Sequence, residues 1–215
     1  MANRSTSGFG LRMAMRLGNT PAIGGQSKYA IKSGLGVGIF KGNPASIQTA
    51  GDTGYIQDAG FSTMDDGTDG GIDFDTGNDS LLIGVHNGVF FIDGTTNKPT
   101  FANSVAASTT FGTNPTTGST NGIAFVNDDP HQEYIVKADA ACAQTKFGLV
   151  SNMNDFSAGD AKDGASTATF DVGATDETHM FRIVRSAEDP DNEDLTVAGA
   201  NLVVVICNKH TYVHQ

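Results

Sequence analysis

Apolar residues in this chain come in short runs, each closed within a few positions by glycine, asparagine, aspartate or proline. No run sustains the 3.6-residue period of an amphipathic helix, whereas several alternate polar and apolar side chains as a half-buried strand does. Lys28-Tyr29-Ala30-Ile31-Lys32 and Glu133-Tyr134-Ile135-Val136-Lys137 are the clearest. Further strands are expected at Val37 to Phe40, Ala45 to Gln48, Gly54 to Gln57, Gly122 to Val126, Phe147 to Val150, Ala168 to Val172 and Met180 to Val184. Leu202 to Cys207 is apolar on both faces, which predicts a central strand. Twenty-seven glycines, nearly twice the usual share, supply the turns between them. The expected fold is therefore all-β, a compact β-barrel or sandwich with long Gly/Asp/Thr-rich loops.

Other segments do not read as regular strands. Residues 1–27 are interrupted by Ser5, Gly8, Gly10, Gly18, Gly24 and Gly25, and predict an extended arm that orders against something else. Residues 28–215 form the β-rich body, with loop insertions expected at about 60–79 and 95–120. Within 80–93, His86-Asn87-Gly88 between two apolar runs predicts a β-hairpin, because Asn-Gly tolerates the positive φ of a tight turn. Ala138 to Ala143 is the one fragment compatible with a helical turn.

Charge is divided along the chain. Residues 1–51 carry six bases and no acid; the rest carries all 24 acids and seven bases, a net of −17. Such a split predicts that the basic segment docks on an acidic protein surface, its own body or another molecule's. Thinly spread bases and a strongly acidic body argue against nucleic acid. The N-terminus lacks the apolar core of a secretory signal, and the longest apolar run is far short of the ~20 residues of a membrane span, so no membrane association is expected. Cys142 and Cys207 have no C-x-x-C spacing and are expected as buried reduced thiols.

No catalytic motif emerges, and no enzyme or cofactor is expected. Gly34-Leu35-Gly36-Val37-Gly38 is not followed by a helix and reads as a kinked strand rather than a dinucleotide loop. His210 and His214, four apart, would pair on zinc only on a helix; beside Thr211, Tyr212 and Val213 they read as surface histidines of an extended tail. Residues 70–81 resemble about one copy of a calcium-binding Gly/Asp repeat, which needs several stacked copies.

Several stretches in order resemble the capsid decoration, or cement, proteins of tailed bacteriophages. They are Gly8-Phe9-Gly10-Leu11 leading to Gly18-Asn19-Thr20-Pro21, then Gly38-Ile39-Phe40-Lys41-Gly42-Asn43-Pro44, Ile83-Gly84-Val85, and Asp128-Asp129-Pro130 before Glu133-Tyr134-Ile135-Val136. Phe181-Arg182-Ile183, Asp189-Pro190-Asp191-Asn192-Glu193 and a valine-rich strand ending in His-Gln complete the set. Asn43 stands where the family has Asp, and the stretches 60–79 and 95–120 look like insertions. The resemblance implies a tulip-like β-fold and a homotrimer, alternatively a homodimer. It also implies a place on the exterior of the virion capsid after synthesis in the host cytoplasm, with the major capsid protein as partner. On that reading the arm binds the shell, with Arg4, Phe9, Arg12, Met13 and Arg16 as candidate capsid-binding residues. Two other classes stay open. One is a head-fibre or tail component that binds a host-surface glycan, against which low aromatic content and the absence of Trp argue. The other is a calcium-binding secreted β-protein.

Overall fold

The computed structural model describes residues 3–18, 20–22, 25–48, 53–58, 82–154, 159–175, 179–207 and 210–213. The acidic stretch read as a loop insertion at 60–79, and with it the calcium-like repeat, lies outside these residues, as does His214. In chain order the strands are β1 (Arg12–Arg16), β2 (Thr20–Pro21), β3 (Ser27–Ile31), β4 (Ile39–Phe40), β5 (Pro44–Ile47), β6 (Ile56–Asp58), β7 (Leu82–Ile92) and β8 (Pro99–Ala102). They continue with β9 (Ser104–Val105), β10 (Gly122–Asn127), β11 (Gln132–Lys137), β12 (Val150–Asn154), β13 (Thr169–Thr175), β14 (Phe181–Ser186) and β15 (Asn201–Ile206). A single 3-10 turn, Gln144–Lys146, is the helical structure among the described residues; Ala138 to Ala143 is not helical. No helix is long and apolar enough to cross a membrane among the described residues.

Two antiparallel sheets pack together as a sandwich, and neither closes into a barrel. The larger runs β13-β12-β14-β15-β11-β1-β2, and the other runs β3-β10-β7-β5-β6 with β8 also on β7; β4 and β9 form a small pair. Alternation sorts the side chains: Tyr134, Val136, Leu202, Val204 and Ile206 enter one core cluster, while Ala124, Val126, Val89 and Phe91 enter the other. β15, with buried residues on both faces, lies in the middle of the seven-stranded sheet, as its unbroken apolar run predicted.

Several expectations need correction. Phe147 to Leu149, expected within a strand, lead out of the 3-10 turn instead, and β12 begins only at Val150. The 80–93 region is no hairpin: it is one strand of 11 residues, Leu82–Ile92. β10 pairs Phe125 with Gly88 and Val126 with His86, so Asn87 is the extra residue of a β-bulge. Gly88 has φ +150°, which the bulge needs as much as a turn would. The 95–120 segment is not wholly loop either. It contributes β8, whose Phe101 pairs with Phe90, and β9, which pairs with β4.

Candidate functional site

The N-terminal segment, expected as an extended arm that orders against another surface, is stitched onto its own body over its described residues. Asn3 Nδ2 donates to the Asp194 and Ala198 carbonyls, both at 3.0 Å, and the Arg4 amide donates to the Asp191 carbonyl. Lys137 Nζ, on a side chain 3% exposed at residue level, donates to the Ser5 carbonyl at 3.0 Å and the Gly199 carbonyl at 3.2 Å. Burial lowers the affinity of this lysine for its proton, and the nearby Asp189 carboxylate partly offsets that. Gly8 and Gly10 then let the backbone press against residues 166–168. A Cβ on Gly8 would collide with the Thr167 carbonyl, and the Gly10 amide donates to the Ala168 carbonyl at 3.0 Å. Leu11 enters the core, and β1 pairs with β11 in the larger sheet.

Of the five residues singled out from sequence, the structure brings three together. Phe9, Arg12 and Met13 border one cleft of about 330 Å³, joined there by Lys41, His86 and Asn127. The Arg12 guanidinium sits 4.0 Å from the Phe9 ring centroid, a cation–π contact that holds both side chains. None of the lining residues among those described is acidic. Arg4 and Arg16 lie elsewhere and are engaged within the chain. Arg4 Nη1 meets Asp191 at 2.9 Å at an exposed site, and Arg16 Nε meets Asp129 at 2.5 Å. Arg4 and Arg16, two of the six bases in residues 1–51, thus find acidic partners on the chain's own body.

Beside the exposed Arg12, three large apolar side chains also stay open to solvent. Met13 is 37% exposed, Met15 44% and Leu17 43%, all within or just beyond β1. Gln132 Nε2 donates to the Met15 carbonyl at 2.8 Å beside the irregularity between Met13 and Arg16, fixing this stretch to the sheet. Leu17 also borders a shallow groove of about 490 Å³ with Val205, Ile206 and Val213.

Lys41, His86 and Asn127 were missed as site residues. His86 sat in the supposed hairpin turn, but is 1% exposed. Its Nε2 lies 3.3 Å from the Gln57 carbonyl, which only accepts, so Nε2 carries the proton and Nδ1 is bare, with no partner among the described residues. Burial holds its pKa down at about 4. His210, expected at the surface, is 4% exposed and its segment bridges to Leu82. Cys142 is a buried thiol and Cys207 a half-buried one that donates to the Met180 carbonyl; burial pushes both pKa values up and makes them poor nucleophiles. No group of three His, Cys, Asp or Glu poised for a metal occurs among the described residues.

Comparison of the chain with protein-family models, with curated proteins and with solved structures gives no match.

Proposed function

We propose that this chain is a non-enzymatic virion protein that binds the outer surface of a tailed-phage capsid and reinforces contacts between major capsid protein subunits. The observation that carries this reading is the exposed trio Met13, Met15 and Leu17, held on a strand locked into the body beside the Arg12 and Lys41 cleft. Solvent-exposed apolar side chains on a rigid strand lose no backbone entropy on docking, so their burial goes into affinity. The acid-free cleft beside them favours a partner side chain that is acidic or aromatic. The ordered sequence resemblance to cement proteins supplies the identity of that partner.

Removing the whole N-terminal segment is a poor test, because it would strip β1 and Leu11 from the sheet and core. Point changes at exposed positions leave the fold intact. Purified protein should pellet with empty capsids of its own phage, and a Met15→Glu/Leu17→Glu double variant should lose about tenfold or more in affinity. Undiminished occupancy by the folded double variant would remove β1 from the interface, and no binding by the wild type would end the capsid reading.

A further inference from the structure

The second sheet carries an aromatic face that the capsid reading does not use. Phe101 on β8 lies opposite Phe90 on β7, which in turn lies opposite Ile123 on β10. Residues directly opposite share a face of the sheet. The neighbouring Val89, Phe91, Ala124 and Val126 point the other way, into the core. Phe90, Phe101 and Phe125 therefore stand on the outside. Their rings form a ladder, with Phe101 centroids 4.6 Å from Phe90 and 6.4 Å from Phe125. Phe101 is 74% exposed.

Beside the ladder is a shallow depression of about 630 Å³, walled by Gln26, Asn87 and Asn103 as well as Phe101 and Phe125. None of its lining residues among those described is charged. The amides are held in place: Asn87 Nδ2 donates to Gln26 Oε1 at 2.9 Å, and Asn103 Nδ2 to the Asp163 carbonyl at 3.0 Å. Asn87 and Asn103 thus turn a carbonyl oxygen, and Gln26 an NH₂ group, to further partners.

We propose that this face is a carbohydrate-binding platform. One face of a pyranose ring is a sheet of C–H bonds that stacks on an exposed aromatic ring, while its hydroxyls both donate and accept. A phenylalanine ladder edged by neutral amides matches both requirements. A second protein is the poorer fit. A stable protein interface takes roughly 800 Å² from each side, and here Phe101 is the one ladder ring that is mostly exposed, the other two being half-buried. The absence of Trp weighs against such a site in the sequence as a whole, but three of the phenylalanines are gathered at one place. Asn87 borders both this depression and the Arg12 cleft, but Phe101 lines only the first and Met15 neither, so variants at these two positions tell this inference apart from capsid binding.

The test uses the full chain on an array of bacterial-surface polysaccharides, followed by NMR titration with chitotetraose, cellotetraose, maltotetraose and the strongest array hit. At least one saccharide should bind, with about tenfold or greater weakening in Phe101→Ala and no change in Met15→Glu. Phe101 is a surface residue, so the variant should keep the wild-type melting temperature and its capsid occupancy. The proposal is overturned if no saccharide binds in a Phe101-dependent way. It is equally overturned if Phe101→Ala instead abolishes concentration-dependent self-association, which would give the face to a second copy, or capsid co-sedimentation, which would give it to the shell.

Discussion

A histidine sealed in a sheet carries a cost that depends on pH, and His86 is such a residue. In the unfolded chain it takes a proton near 6.5, whereas burial holds the folded value at about 4. As pH falls through this interval the unfolded state binds the proton and the folded state does not, so stability drops. Above about pH 6.5 the penalty is absent; by about pH 4 it reaches roughly 3 kcal/mol, and it grows no further below that. His210, also shifted down by burial, acts in the same direction. The carboxylates of Asp189 and Asp194, held below their usual range chiefly by hydrogen bonds from Asn192 and Thr196, lose their contribution only at still lower pH. His86→Gln offers an amide N–H to the Gln57 carbonyl and has nothing to titrate. Thermal melts between about pH 7.5 and 4.5 should therefore show a shallower loss of stability in this variant than in the wild type. Parallel slopes would mean that His86 takes its proton in the folded state as readily as in the unfolded one.

At the scale of elements, the instructive piece is the N-terminal segment. Its glycines look like interruptions because a strand period cannot be read through them, yet Gly8 and Gly10 are where two backbones approach too closely for a side chain. Gly8→Ala would force the segment off the Thr167 carbonyl, at a cost of about 1–3 kcal/mol. Limited trypsin digestion should cut faster after Arg4 and Arg12 in that variant, and an unchanged rate would contradict the packing. The same distinction explains what was legible. Regular alternation found most of the body strands, because one face of each is buried. Asn87-Gly88 was misread because a bulge and a hairpin turn make the same local demand for positive φ, and only pairing with distant β10 decides between them. β8 hid in a Thr/Ser/Asn-rich context, and with it Phe101; its strand character comes from Phe90 and Phe91 opposite, not from its own residues. In the cleft, Phe9, Arg12 and Met13 were visible through charge and apolar content, while His86 and Asn127 arrive by tertiary folding alone.

Across the whole molecule, β7 makes the two sheets one cooperative unit. Leu82 and Val85 enter the cluster of the seven-stranded sheet, while Ile83, Val89 and Phe91 enter that of the other. The C-terminal segment closes over the same strand: the Thr211 amide and hydroxyl both donate to the Leu82 carbonyl, at 2.8 and 2.9 Å. Tyr29 then donates to Asp128 at 2.6 Å, which leaves Tyr212 to donate to the Tyr29 oxygen, also at 2.6 Å. The tail is thus tied to β3 and to the turn before β11. A strand shared by both cores cannot be lost from one without opening the other, so unfolding should be a single transition. Leu82→Ala and Val89→Ala, each truncating a fully buried side chain in a different cluster, should cost about 2–5 and about 1–3 kcal/mol respectively. Both should move the same melting curve, whether it is followed by far-UV circular dichroism or by tyrosine fluorescence. If instead each variant shifted a separate transition, the two cores would be independent folding units, and β7 would be a tether between them rather than a common wall.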